Sequence, residues 1–187
     1  MSRRRPRVGT PSRREVLKRA ALLGAGLVVL PRCKRPTESV APAPAGRALT
    51  VDELALCRAA CERVLPADED AGAGQLGVVD YVDARLRRPT QRARGALRRF
   101  RRGLGALDAW AKQHHQEGFG ALDPGTQDVV LASFAAEGGA EGYAFLRQLV
   151  ELTIEGAFAD PAYQGNRDKK GWALLGFDAP CPNPRCR

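Results

Sequence analysis

Residues 143–158 read YAFLRQLVELTIEGAF and carry the most apolar helical pattern in the chain. Two glycines at positions 138 and 139 precede this stretch, and Asp160-Pro161 follows it, so both of its ends carry chain-breaking signals. Its core candidates are spaced mostly three and four residues apart, the period of a helix that buries one face: Phe145, Leu149, Leu152 and Phe158. We therefore predict a helix here, the last and most apolar of the chain.

Four further helices are predicted before this one. Thr50 and Glu53 have the spacing of a capping box, and Leu65-Pro66 marks the end of the helix that they begin. A short helix is predicted over residues 77–86. Asp123-Pro124 is an N-cap followed by proline at the first helical position. The longest pattern, over residues 90–116, places its apolar residues on one stripe: Leu97, Phe100, Leu104, Leu107 and Ala111.

These patterns predict the fold class. No segment shows the alternation of apolar and polar residues that is typical of a β-strand. We therefore predict an all-α protein with a single helical bundle-like domain. From Asp160-Pro161 onward the sequence is rich in glycine, proline and asparagine, with little periodicity. This composition predicts a long irregular C-terminal tail over residues 160–187.

The N-terminal sequence has the pattern of an export signal. Arg13 and Arg14, with Leu17 and Lys18 close behind, precede an apolar run over residues 20–30. Paired arginines before a short apolar segment are typical of the twin-arginine pathway, which carries folded proteins to the periplasm. The run is too short to cross a bilayer, since a spanning helix needs about 20 residues. We therefore predict a periplasmic protein that is exported by the twin-arginine translocase.

The signal also predicts the domain organisation. A small-x-small pattern at residues 43–45 marks a candidate cleavage site. Residues 1–45 are predicted to be the signal peptide and a Pro/Ala-rich linker, and residues 46–187 to be the helical domain. An N-terminal anchor that stays uncleaved is the alternative interpretation.

The net charge of +9 suggests a nucleic-acid binder, but its distribution argues against one. Residues 1–45 hold eleven of the 30 Lys and Arg and two of the 21 Asp and Glu, so the remainder is formally neutral. One basic block remains, and it consists of nine arginines: Arg85, Arg87, Arg88, Arg92, Arg94, Arg98, Arg99, Arg101 and Arg102. We rank a solvated helix face first, a face for an acidic partner second and nucleic acid a distant third, and so predict no nucleic-acid partner.

No pattern in the chain indicates its own catalytic chemistry. His114 and His115 are adjacent, so on a helix they point about 100° apart and do not form a chelating pair. The sequence contains neither HExxH nor GxSxG, and no GxGxxG follows a predicted strand. We therefore assign no catalytic, metal-binding or cofactor-binding residue to this chain.

Four cysteines remain after the predicted signal. Cys57 and Cys61 are one helical turn apart, and Cys181 and Cys186 bracket a proline-rich end. In an oxidising compartment all four are candidates for disulfides. Cross-pairing would fasten the C-terminal tail to the first helix, whereas closure of the Cys57–Cys61 pair is geometrically awkward on a regular helix. Zinc binding and a free thiol are the alternatives, and the sequence does not choose between them.

The sharpest pattern of the predicted domain lies in the C-terminal tail. Gly165 and Asn166 are suited to positive φ in a tight turn, and Trp172 is a large anchor for a non-periodic segment. Such a tail either closes the core or offers a partner surface, and core closure is the safer interpretation. The residues that we select for one of these two roles are Asp160, Pro161, Tyr163, Asn166, Gly171 and Trp172.

At these residues the chain resembles the gluconate 2-dehydrogenase subunit 3 family. The family motif E-G-x-x-x-D-P-x-Y-G-G-N, followed by G-W-x-x-x-G and an aromatic residue, is similar to residues 155–177. Gln164 stands where the family has the first glycine of its pair, and Phe177 takes the aromatic place. The similarity extends upstream through residues 64–68 and 77–83, so it covers nearly all of the predicted domain.

The resemblance implies a non-catalytic accessory subunit of a membrane-associated sugar, polyol or gluconate dehydrogenase. It implies as partner a large flavoprotein of the glucose-methanol-choline type, which holds FAD, and a multihaem cytochrome c that takes the electrons. It also implies that the signal on this chain serves export of the folded, FAD-loaded partner. The alternative is a stand-alone periplasmic domain, structural or metal-binding, with no flavoprotein partner.

Overall fold

The computed structural model describes residues 45–177, which form helices and turns without a β-strand. The all-α class is therefore confirmed for this part of the chain. Its three short 3-10 turns are Phe119–Ala121, Pro161–Tyr163 and Arg167–Lys169. Its six α-helices are α1 (Val51–Val64), α2 (Val78–Leu86), α3 (Gln91–His115), α4 (Pro124–Glu137), α5 (Gly139–Phe158) and α6 (Lys170–Leu174).

Helix α5 is the centre of the bundle, because it packs against each of α1, α2, α3 and α4. Its predicted core residues Phe145, Leu149 and Leu152 are buried. The helix begins four residues earlier than the periodicity predicts. A Cβ on Gly138 or Gly142 would overlap the carbonyl oxygen of Phe134, so these glycines permit a close corner between α4 and α5.

Helix α3 supplies the facing wall of the core. Four of its five predicted stripe residues are fully buried, and Leu97 is partly buried. The Phe100 and Phe145 rings lie 5.6 Å apart between their centroids. Beside them, a Cβ on Gly103 would overlap the Phe145 ring. Gly103 therefore lets α3 approach α5 closely at this point, and the helix continues through it.

The predicted helix starts have the expected geometry. The Thr50 side chain accepts a hydrogen bond from the Glu53 backbone N–H, and the Glu53 carboxylate accepts one from the Thr50 N–H. Thr50 thus caps α1 with a complete capping box. Asp123 caps α4, because its carboxylate accepts hydrogen bonds from the backbone N–H groups of Gly125 and Thr126.

Helix α2 holds the beginning of the domain in place. Asp83 is 1 % exposed, and its carboxylate accepts hydrogen bonds from the backbone N–H groups of Ala48 and Leu49 at 2.8 and 2.9 Å. The Arg47 guanidinium lies 3.8 Å from the same carboxylate. A buried carboxylate is stabilised by such donors, so this contact fixes the chain where it enters α1.

Within residues 45–177, no helix combines the length and the apolar character needed to cross a membrane. The predicted export-signal residues Arg13, Arg14, Leu17 and Lys18 lie outside the described residues, and the division between residues 1–45 and 46–187 stays a prediction.

Candidate partner-binding surface

The described part of the C-terminal tail, residues 160–177, is more regular than its composition predicts. It contains two 3-10 turns and the short helix α6. Asp160 caps the first turn by accepting a hydrogen bond from the Ala162 N–H, and Pro161 fills the first position of that turn. Local capping therefore organises the tail directly after α5 ends.

Asn166 is the residue that fastens the tail to the bundle. It is fully buried, and its amide donates to the carbonyl of Ala159 at 2.9 Å and accepts from the N–H of Gly171 at 2.8 Å. Its own backbone N–H donates to the carbonyl of Gly156 at 2.8 Å. Asn166 thus forms two hydrogen bonds to the end of α5 and one to α6, and these bonds give it a structural role.

Two glycines make this attachment possible by close approach. A Cβ on Gly165 would overlap the Gly156 carbonyl oxygen, and one on Gly171 would overlap that of Ala157. Of the two residues suited to positive φ, Asn166 adopts it, at 47°, and Gly165 does not. Gln164 adopts the left-handed conformation instead, at φ 75°. The turn therefore keeps the backbone that a glycine would favour at position 164.

Trp172 lies at the end of α5. Its indole N–H donates to the carbonyl of Phe158 at 2.9 Å, and Phe177 meets the indole edge-on with ring centroids 5.4 Å apart. The Tyr163 ring is 53 % exposed, and the Arg88 guanidinium lies 5.9 Å from its centroid. Leu175 and Phe177 are also more than half exposed. The tail thus combines a buried inner side with an apolar outer side that is open to contact.

The selected tail residues therefore divide into three groups by burial. Asn166 and Gly171 are buried in the attachment, and Asp160, Pro161 and Trp172 are partly buried around the end of α5. Tyr163 faces outward. The structure brings the whole set to one end of the bundle, and partner binding by any of them stays a prediction.

Sequence reasoning missed an ion-pair network that joins the tail to α2. Asp80 lies between two arginines: its carboxylate is 2.9 Å from Arg47 and 3.0 Å from Arg167. The Arg167 backbone N–H donates to the carbonyl of Leu76. The only signal in the sequence is the i, i+3 spacing of Asp80 and Asp83, which places both carboxylates on one side of a short helix.

A second polar contact links α2 to α5. The Tyr81 hydroxyl donates to the Glu155 carboxylate at 2.9 Å, and Arg85 lies 3.7 Å from the same carboxylate. The pKa of Tyr81 is raised above its ordinary value, first because burial disfavours the phenolate and second because Glu155 accepts its proton in a hydrogen bond.

The basic block runs from the end of α2 through the connection into α3 and is partly paired. Arg101 forms an ion pair with Glu53 of α1 at 2.6 Å, and Arg102 forms one with Glu141 of α5. Arg92, Arg94, Arg98 and Arg99 are exposed. Their exposure agrees with a solvated face and equally leaves the block open to an acidic partner.

The cysteines of α1 are free thiols in the described part of the chain. The sulfurs of Cys57 and Cys61 are 3.9 Å apart, well beyond the roughly 2.05 Å of a disulfide bond. Both are buried, and the Thr153 hydroxyl donates to the sulfur of Cys61 at 3.4 Å. The pKa of Cys57 is raised by its hydrogen bond to Cys61 and by burial. Cys181 and Cys186 lie outside the described residues, so pairing with them stays a prediction.

His114 has a packing role at the end of α3, and His115 is exposed. The His114 ring stacks on Trp110, with centroids 4.4 Å apart. The Trp110 indole in turn donates to the Ser133 hydroxyl. Among residues 45–177 no three His, Cys, Asp or Glu side chains converge as a metal site.

The described residues thus define a small all-α domain whose C-terminal tail is fastened to the end of its central helix. The family model described as gluconate 2-dehydrogenase subunit 3 matches residues 51–179, well over half of the chain. The chain belongs to this family. Membership implies a place in a hetero-oligomeric dehydrogenase complex, as an accessory subunit. No curated protein and no solved structure matches the chain.

Proposed function

We propose that this chain is a non-catalytic accessory subunit of a periplasmic, membrane-associated, FAD-dependent dehydrogenase that oxidises a sugar, a polyol or gluconate. The match to gluconate 2-dehydrogenase subunit 3 over residues 51–179 is the observation that carries the proposal. In this proposal a flavoprotein of the glucose-methanol-choline type performs the oxidation, and a multihaem cytochrome c takes the electrons.

The export role rests on the N-terminal sequence. Arg13 and Arg14 precede an apolar run, as in twin-arginine signals, and that pathway transports proteins that have already folded. A flavoprotein that acquires FAD in the cytoplasm has to fold around the cofactor before it is exported. The signal on this chain would therefore carry both subunits, provided that they bind each other before export.

The fold of residues 45–177 supports this division of labour between the subunits. A dinucleotide is commonly bound where a parallel strand turns through glycines into a helix. Residues 45–177 contain helices and turns without a strand, so this type of site does not fit the described domain. We accordingly assign FAD to the partner and a binding role to this chain.

The outer side of the C-terminal tail suits such a binding role. Tyr163, Leu175 and Phe177 are each more than half exposed, and aromatic residues are enriched in protein interfaces. The inner side of the tail is held by Asn166, so the exposed side chains are presented by a fixed backbone. A fixed surface loses less conformational entropy when a partner binds.

The first test is capture of the complex. The full-length chain with a C-terminal tag is purified from periplasmic and membrane fractions, and the co-purifying proteins are identified by mass spectrometry and scanned for flavin absorbance. We expect an FAD protein at a roughly equal amount. Recovery of a colourless chain alone would contradict the proposal and favour the stand-alone domain.

The second test addresses export. The double variant Arg13→Lys/Arg14→Lys keeps the charge but removes the arginine pair, so it should leave both this chain and the flavoprotein in the cytoplasm. Arg3→Lys/Arg4→Lys, which lies before the motif, is the matched control and should export both. If the flavoprotein reached the periplasm with the double variant, the escort role would be excluded while the subunit role remained.

A further inference from the structure

A groove runs between α3 and α5, near the C-terminal end of α2, and has a volume of about 560 Å³. Its floor consists of buried residues, among them Ala93, Gly103, Phe145 and Leu152. Because Gly103 lies directly against the Phe145 ring, the two helices are in close contact at this point. The groove is therefore a fixed depression in the surface of the bundle.

The rim of this groove carries arginine side chains that form no ion pair within residues 45–177. Two of the five arginines that line it are paired across it, Arg102 with Glu141 and Arg85 with Glu155. The other three, Arg92, Arg99 and Arg147, are exposed and form no ion pair within residues 45–177. Glu151 is the one lining carboxylate outside the two pairs. The unpaired charge at the rim is therefore net positive.

The position of Arg92 is unfavourable for α3, the helix that carries it. The first turn of α3 contains no acidic residue, although acidic side chains are the ones that stabilise a helix N-terminus. Arg92 lies in that turn, where its charge adds to the positive end of the helix dipole. Helix stability thus does not account for the arrangement, whereas attraction of an anionic group does.

We propose that this groove binds an acidic segment of the partner dehydrogenase subunit, an inference that rests on the proposed function. Guanidinium groups bind carboxylates through paired hydrogen bonds, which suits them to acidic side chains at an interface. Arg92 and Arg99 are two helical turns apart, about 10 Å along α3. The partner segment therefore presents carboxylates at a similar separation.

The remaining sequence of this chain does not have the charge to occupy the groove. Residues 1–45 contain eleven Lys and Arg against two Asp and Glu, so they would be repelled by the rim. Residues 178–187 contain Asp178 against two arginines. The acidic residues Asp68, Glu69 and Asp70 of a second copy are the competing occupant, and the tests below distinguish it.

The first test compares two double variants of the same helix. Arg92→Glu/Arg99→Glu reverses two rim charges, whereas Arg94→Glu/Arg98→Glu reverses two exposed charges on α3 that do not line the groove. The tagged full-length chain is purified from the native host, and the dehydrogenase subunit recovered per chain is quantified. We expect the rim variant to lower recovery by about tenfold and the matched variant to change it little.

Three outcomes overturn this inference in distinguishable ways. If the wild-type chain recovers no dehydrogenase subunit, the proposed function fails and the groove assignment fails with it. If the rim variant recovers as much subunit as the wild type, the groove assignment alone fails. If both variants lose recovery equally, the basic block attracts anions non-specifically, as it would attract nucleic acid, and the groove is not the binding site.

A second measurement needs no change of charge and so does not depend on folding of the rim variant. A photo-crosslinking phenylalanine derivative replaces Tyr143, an exposed aromatic residue on the groove wall, or Val129, an equally exposed residue of α4 outside the groove. We expect crosslinks from position 143 to an Asp/Glu-rich peptide of the dehydrogenase subunit and none to that peptide from position 129. A crosslink to residues 68–70 of a second copy would overturn the assignment.

Discussion

The helical bundle, α1 to α5, and the described part of the C-terminal tail are held in place by different interactions. The bundle is packed around buried apolar side chains such as Phe100 and Leu149. The hydrophobic effect that stabilises this packing does not depend on direction. The tail buries little apolar surface of its own and is fixed by hydrogen bonds that converge on Asn166. A bundle tolerates similar apolar residues, whereas the tail depends on the donor–acceptor geometry of a few hydrogen bonds.

Phe100→Ala should have the largest effect and tests the bundle side of this comparison. Phe100 is fully buried against Phe145, so truncation leaves a cavity and should lower the free energy of unfolding by about 3–5 kcal/mol. Urea denaturation followed by circular dichroism measures this loss. Val129→Ala, at a 60 % exposed position, should change stability by less than about 0.5 kcal/mol.

Asn166→Ala should have the next largest effect, and it should be local. Removing the amide leaves the Ala159 carbonyl and the Gly171 N–H without their partners, at a cost of about 1–3 kcal/mol for each buried group. Hydrogen exchange should therefore speed up across residues 160–177 and stay slow in α3.

Asn166→Gly is the matched variant, because glycine accepts the left-handed backbone and removes only the side-chain bonds. It should release the tail almost as much as Asn166→Ala does. If either substitution instead unfolded the bundle together with the tail, the two regions would form a single cooperative unit and the comparison would not hold.

Gln164→Gly should have a smaller, stabilising effect. Gln164 adopts φ 75°, which costs a side-chain-bearing residue about 1–2 kcal/mol, and glycine regains this at an entropic cost of about 0.5–1 kcal/mol. We expect thermal unfolding to shift upward by a few degrees. Gln164→Ala, which keeps the strain, should give no such shift. A higher melting temperature for the alanine variant would refute the strain argument.

The same two regions differ in how far the sequence predicts them. Capping signals and apolar periodicity predict α1 to α4 closely, because both are local properties that the finished bundle uses unchanged. The start of α5 is predicted four residues too late, since Gly138 and Gly139 indicate a break. In the structure Gly138 and Gly142 instead allow a close contact with the Phe134 carbonyl.

The order of the tail could not be predicted from its composition. The sequence of residues 160–177 has no apolar period that indicates regular structure. Its conformation depends on bonds to distant parts of the chain, from Asn166 to Gly156 and from Arg167 to Leu76 and Asp80. The sequence indicates that residues 160–172 are important. Which of them are buried and which are exposed follows only from the three-dimensional contacts.

The smallest expected effect concerns a polar contact inside the bundle, the hydrogen bond between Tyr81 of α2 and Glu155 of α5. The pKa of Tyr81 is raised in the folded protein, so the folded state binds this proton more tightly than the unfolded state does. The resulting stability is fully present below the unfolded pKa of about 10 and is lost as the pH rises through the folded value. The stability difference between wild type and Tyr81→Phe should therefore stay constant up to about pH 9 and shrink as the pH rises above about 10. Tyr143→Phe, which removes a hydroxyl from an exposed ring, is the matched control. A constant difference for Tyr81→Phe would mean that Glu155 and burial do not hold the phenol proton, and that α2 joins α5 through packing alone.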